Sequence, residues 1–273
     1  MACNTSGCIS RYCFSHGKFQ EKLVIKLNNS LIKEELPEKN LNKSKTYKSV
    51  FRATKFIELN QNADLVGTAD GFVYSFLYDD LMTRSKKISH FGIIKSLEKS
   101  PFSQDVYLTT GCDCNINIWV SDVFIEPVVT LSVGKQIEKA IWNRNVRQLY
   151  SIYYCNVFGF SDNCIQIWDL SVTKYEPIFI QKMPNPDQKC TGLEFTEDGK
   201  HLCVSDISGK IVVYVLSNIS SHDKDDEHYN LVYAIVKIIY GTKYFPSVLI
   251  KERKEFAEVF SKLDYEKYGR KYS

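Results

Sequence analysis

Apolar and polar positions alternate along this chain in short runs, and several runs end in the same way. Ile116-Asn117-Ile118-Trp119, Ile165-Gln166-Ile167-Trp168 and Ile211-Val212-Val213-Tyr214 each close with apolar–x–apolar–aromatic, and Val73-Tyr74-Ser75-Phe76 is a weaker copy. Alternation at a period of two predicts strands with one buried face. The closing aromatics lie 43, 49 and 46 residues apart. Repeats of about 40–45 residues built from strands predict the blades of a propeller.

The segments around each signature agree. A turn rich in Asp, Gly and Asn precedes each one: Thr68-Ala69-Asp70-Gly71, Gly111 to Asn115, Ser161-Asp162-Asn163 and Ser208-Gly209-Lys210. Before these turns, strands are predicted at Ala63–Thr68, Val106–Thr110, Gln148–Tyr154 and His201–Ser205. Further upstream come Gly92–Leu97, Ile137–Trp142 and Cys190–Phe195. Strand, turn, strand, tight turn and strand make one antiparallel blade. The predicted fold is therefore all-β, a partial propeller of about four blades over residues 56–220, with open edges unless residues 1–55 supply divergent strands. In the tail, 221–273, an acidic loop leads to a stretch at 229–240 that reads as a strand or a short helix. A helix is then predicted from Pro246 to about Lys262, with Phe256, Phe260 and Leu263 on one face.

Charge divides the chain in the same places. Residues 1–55 carry 11 Lys/Arg against 4 Asp/Glu, 56–220 carry 14 against 19, and 221–273 carry 10 against 9. A basic lead on an acidic body favours no nucleic-acid reading, which needs a folded basic face. The longest apolar run, Leu231 to Tyr240, contains Lys237 and is too short to cross a bilayer. The first residues lack the basic and apolar regions of a secretory signal, so an intracellular protein is expected.

The nine cysteines include no C-x-x-C pair. Cys3, Cys8, Cys13 and His16 could supply four zinc ligands, but their spacing matches no common finger, and reduced thiols are the expectation. No phosphate loop, dinucleotide fingerprint, H-E-x-x-H or G-x-S-x-G occurs. The chain is expected to be non-catalytic and to use no cofactor.

Trp168-Asp169 is the dipeptide for which the WD-repeat family is named, and His90-Phe91-Gly92-Ile93-Ile94 resembles that family's His-x-Gly-x-Val opening. The resemblance implies a buried polar network of a His, a Ser/Thr, a tight-turn Asp and the Trp within one blade. Carried over here, these are His90, Thr109, Asp113 and Trp119; the plainer alternative is a His90 standing alone in a loop. Asp162, Trp168, Asp169 and Tyr214 would hold the matching repeat positions.

The run from Phe56 to Leu216 also resembles the C-terminal part of the propeller of an axonemal dynein intermediate chain, the inner-arm type most of all. The segments that carry this are Ser100-Pro101-Phe102, Asp105 to Gly111, Ala140-Ile141-Trp142, and Ile165 to Leu170 leading to Lys174-Tyr175-Glu176-Pro177. The resemblance implies a scaffold in the ciliary or flagellar axoneme, a cytoskeletal structure, with the dynein heavy-chain tail and the other intermediate chain as partners. Light-chain binding is not carried over, because the long N-terminal region that serves it has no counterpart. The competing class is a cytosolic WD-repeat adaptor unrelated to cilia. Phe124 and Tyr175, on the segments leaving the Trp-bearing strands, are the candidate partner contacts; packing on the next blade is the other role open to them.

Overall fold

The structure is a computed structural model. It describes residues 2–3, 8–15, 18–26 and 52–215, apart from 61–62, 78–82, 121–125, 135, 144–155, 162–163, 171–174, 183–189 and 198–199, together with positions 231, 234, 235 and 238.

Among the described residues, eighteen strands form five antiparallel sheets in chain order. β1 (Ala2–Cys3), β2 (Cys8–Ser15) and β3 (Lys18–Lys26) make a three-stranded N-terminal sheet. Blade 1 comprises β4 (Ala53–Asn60), β5 (Ala63–Thr68), β6 (Phe72–Leu77) and β7 (Thr83–Ile88). Blade 2 comprises β8 (Ile94–Lys99), β9 (Val106–Gly111), β10 (Asn115–Val120) and β11 (Val129–Ser132). Blade 3 comprises β12 (Lys139–Trp142), β13 (Asn156–Ser161), β14 (Cys164–Asp169) and β15 (Phe179–Lys182). Among the described residues, blade 4 comprises β16 (Cys190–Phe195), β17 (His201–Asp206) and β18 (Ile211–Val215).

The first strands pack side by side: β4 beside β8, β8 beside β12, and β12 beside β16. They form the inner lining of a propeller whose blades radiate outward. Each gap between blades holds its own apolar core, and the closing aromatic of the later blade fills it. Trp119 joins Leu59, Leu65 and Val73 of blade 1. Trp168 joins Leu108, Ile116 and Ile118 of blade 2, and Tyr214 packs on the cluster that links Ile141 and Ile165 to blade 4. Phe76 lies with Val66 and Tyr74 in a separate cluster within blade 1. Burial of a large ring relative to water is worth about 1.5–3 kcal/mol, so the repeated aromatic holds neighbouring blades together as well as its own.

Charges complement these cores along the inner lining. Lys139 of β12 lies 3.6 Å from Glu98 of β8 and 3.1 Å from Glu194 of β16, and so bridges three consecutive blades. Lys95 donates to Glu138 at 3.3 Å in the same layer. Burial raises the Glu98 pKa, and the nearby Lys139 opposes that shift.

Three features depart from the sequence-based expectation or extend it. Fourth strands close blades 1 to 3, at β7, β11 and β15. The second strand of blade 3 lies at Asn156–Ser161, directly before its tight turn; the predicted strand at Gln148–Tyr154 falls outside the described residues. Within the stretch read as a strand or a short helix, Leu231, Ala234, Ile235 and Ile238 are helical. Their spacing puts them on one helix face. Leu231, Ala234 and Ile235 are buried in the cluster between blades 2 and 3, and Ile238 packs on it. The predicted helix from Pro246 lies outside the described residues. Among the described residues, no helix is long and apolar enough to cross a membrane.

Candidate functional site

The polar centre of blade 2 is assembled by strand register. In the β9–β10 pair, Thr109 stands opposite Asn117, two residues before Trp119, which puts the Thr109 hydroxyl beside the indole. Trp119 Nε1 donates to Thr109 Oγ1 at 2.9 Å, Ser89 Oγ lies 2.8 Å from the same oxygen, and His90 Nε2 lies 2.8 Å from it on another side. His90 Nδ1 is 2.8 Å from Asp113 Oδ1. With His90 neutral, as its lowered pKa favours, the following proton arrangement satisfies all of these contacts. His90 is neutral with its proton on Nδ1, donated to the Asp113 carboxylate. Thr109 donates its hydroxyl proton to His90 Nε2 and accepts from both Trp119 and Ser89. Burial lowers the His90 pKa from its ordinary 6.5, outweighing the opposing pull of Asp113. The network is thus held in its neutral form.

The structure therefore brings His90, Thr109, Asp113 and Trp119 together. It also adds residues that the sequence reading did not single out. Asn117 Nδ2 donates to the Ser89 carbonyl at 2.7 Å, and Thr130 Oγ1 donates to Asn117 Oδ1 at 2.9 Å, tying the network to the fourth strand. Gly111 is required by the ring: a Cβ built there would lie 2.4 Å from His90 Cγ. The signal was present in Thr109-Thr110-Gly111, since a glycine in a strand often marks a close approach.

Among the described residues, the other blades hold the repeat positions without the network. Trp168 is fully buried at the Trp119 position, but the residue corresponding to Thr109 in its register is Gly159. Among the described residues, its Nε1 has no hydrogen-bond partner. Val204 and Val66 stand at the same place opposite the strands of Tyr214 and Phe76. Asp169, buried, ends β14; Asp162 lies outside the described residues. Blade 4 stabilises its turn differently, with Asp206 Oδ1 accepting from Ser208 N, Ser208 Oγ and Lys210 N at 2.9, 2.6 and 2.9 Å.

The network also fixes a surface loop. Ser89 N and His90 N both donate to the Gly71 carbonyl in the tight turn of blade 1, at 2.9 and 3.0 Å. Phe91 N donates to Asp113 Oδ2 at 3.1 Å, and Cys112 N donates to the Ile93 carbonyl at 3.3 Å. The loop is clamped between the tight turns of two blades, and on it Phe91 is 85% exposed. Tyr175 is 81% exposed on the segment between β14 and β15, so it does not serve as core between blades. Phe124 lies outside the described residues, as does His16; of the other proposed zinc ligands, Cys3 falls on β1 and Cys8 and Cys13 on β2. Among the described residues, no group of three or more His, Cys, Asp or Glu is placed to hold a metal ion.

Radiating four-stranded blades, aromatic-ended third strands and a His–Thr–Trp–Asp network together define a WD-repeat β-propeller segment, a scaffold class in which rigid blades present loops. The chain belongs to the family described as the dynein axonemal intermediate chain 3 WD40 domain, whose model matches residues 18–216. It is 25% identical over 154 residues to dynein axonemal intermediate chain 4 of Xenopus laevis, covering 55% of this chain and 19% of that protein. It is 30% identical over 159 residues to the Danio rerio protein of the same name, covering 58% and 19%. Against dynein axonemal intermediate chain 3 of Mus musculus it is 23% identical over 177 residues, covering 62% and 17%. The aligned region spans about a fifth of the length of these curated relatives.

Proposed function

We propose that this chain is a non-catalytic scaffold of an axonemal dynein, of the inner-arm type, that seats on the tail of a dynein heavy chain beside another intermediate chain. It would work in the axoneme of cilia or flagella and support their movement. The observation that carries this reading is the match of the family model to residues 18–216, which covers the N-terminal sheet from β3 and every blade. The physical logic is geometric. Blades locked by inter-blade aromatics and by Lys139 give loops a fixed spacing, and preorganised loops lose little entropy on binding. Exposed aromatics on such loops are the usual anchors of an interface. Tyr175 has that exposure, Phe124 is proposed from the sequence alone, and the Phe91 loop adds a third aromatic.

The test is co-purification of the tagged chain with an inner-arm heavy-chain tail, comparing wild type with Tyr175→Ala, Phe124→Ala and Phe91→Ala. Binding by wild type that falls at least tenfold in one of the variants, at unchanged melting temperature, supports the reading. A wild-type chain that fails to retain the heavy-chain tail refutes it. A variant that loses stability and binding in proportion returns its residue to the core.

A further inference from the structure

We propose that the gap between blades 2 and 3 is a helix-docking groove, and that residues 231–238 of this chain occupy it as an exchangeable ligand. Blades that radiate from a common axis diverge toward the rim, so a close-packed gap needs more bulk there. Between blades 1 and 2, cross-strand pairing sets Trp119 opposite Tyr107, and the two rings stack at 6.1 Å with an interplanar angle of 8°. Between blades 2 and 3 the same register sets Trp168 opposite Val157, a smaller residue. Leu231, Ala234 and Ile235 bring bulk to this second gap, each at 0% exposure, and Ile238 packs beside them. They share a cluster with Trp168 of blade 3 and with Val129 and Leu131 on the fourth strand of blade 2.

The segment itself states what the groove takes. Apolar residues at 231, 234, 235 and 238 follow the i, i+3, i+4, i+7 spacing of an amphipathic helix laid in an apolar groove, with a small residue, Ala234, at the second place. Blades 2 and 3 have bonds of their own. Each of their sheets is built of four strands drawn from residues 94–182. Their first strands are joined at the inner lining, where Ala140 N donates to Ser96 Oγ at 3.2 Å, Lys95 donates to Glu138 at 3.3 Å, and Lys139 lies 3.6 Å from Glu98. The helix thus seats on a surface that the two blades form between themselves.

The experiment uses the full chain and a fluorescent synthetic peptide of residues 226–242. In the wild type the tethered tail holds the groove at high effective concentration, so little peptide should bind. The double substitution Leu231→Asp and Ile235→Asp sets two carboxylates against an apolar surface and should empty the groove. This variant is expected to keep a cooperative melt by circular dichroism, at a lower temperature. Fluorescence anisotropy should show it binding the peptide at least tenfold more tightly than the wild type does. The peptide carrying Leu231→Asp should not bind, and a photo-crosslinker in place of Ile238 in the peptide should label blade 2 or blade 3. A variant that no longer melts cooperatively overturns the proposal, because the helix is then integral core. A folded variant that does not take up the peptide, equal binding to both chains, or a crosslink elsewhere overturns it as well.

Discussion

Trp119 and Trp168 are the same residue in equivalent places, buried to 1% and 0% exposure, and they differ in one hydrogen bond. Trp119 Nε1 donates to Thr109, while in blade 3 the corresponding register position is Gly159 and Trp168 Nε1 finds no acceptor among the described residues. Replacing each with Phe removes the same volume, so the cavity costs of about 1–3 kcal/mol largely cancel in the comparison. Trp119→Phe additionally loses a hydrogen bond worth about 1 kcal/mol net. Trp168→Phe removes a buried unsatisfied donor, which recovers about 1–3 kcal/mol. Trp119→Phe is therefore expected to destabilise the chain by roughly 2–4 kcal/mol more than Trp168→Phe. For a chain of this size that corresponds to a gap of roughly 4–16 °C in melting temperature. The assay is thermal and urea unfolding of both variants followed by circular dichroism. Equal losses, or a greater loss at Trp168, would refute the assignment of the hydroxyl of Thr109 as the element that distinguishes blade 2.

Other expectations follow from the same contacts. Gly71 has φ of +90° and a Cβ there would lie 2.0 Å from the His90 carbonyl, whereas Gly209 has φ of +83° with nothing within 4 Å. Gly71→Ala should therefore prevent blades 1 and 2 from docking, while Gly209→Ala costs only about 1–2 kcal/mol of backbone strain; limited proteolysis and melting curves separate the two. His90 has a folded pKa below its ordinary 6.5, so the unfolded chain takes up the proton first. Stability should be full above about pH 6.5 and fall as the pH drops through that value, and His90→Gln should flatten that limb of a melting-temperature profile. Lys139→Met strips Glu98 and Glu194 of their shared cation; it should cost about 1 kcal/mol at low salt, measured by urea unfolding, and the loss should shrink as the pH falls and the Glu98 carboxyl protonates.

The sequence by itself determined the third strands, their tight turns and the spacing of the blades. These features are local: alternation at a period of two, an aromatic at the end of the run, and Asp or Gly where the chain reverses. His90, Thr109, Asp113 and Trp119 were legible for a different reason, resemblance to a family pattern. What was not legible is why one blade has the network and the next does not. Thr109 and Gly159 occupy matching places only through cross-strand register, which depends on pairing rather than on either strand alone. The fourth strands escaped for a related reason. Thr83–Ile88 is largely polar and Val129–Ser132 is only four residues long, so the strand each pairs with defines it more than any pattern of its own. The apolar stretch after residue 229 fitted two periods, and its docking between blades 2 and 3 decided for helix. Phe91 reads in sequence as one residue of a His-x-Gly motif. Only the clamp between two tight turns, a tertiary arrangement of Gly71, Asp113 and Ile93, makes it an aromatic held out to solvent.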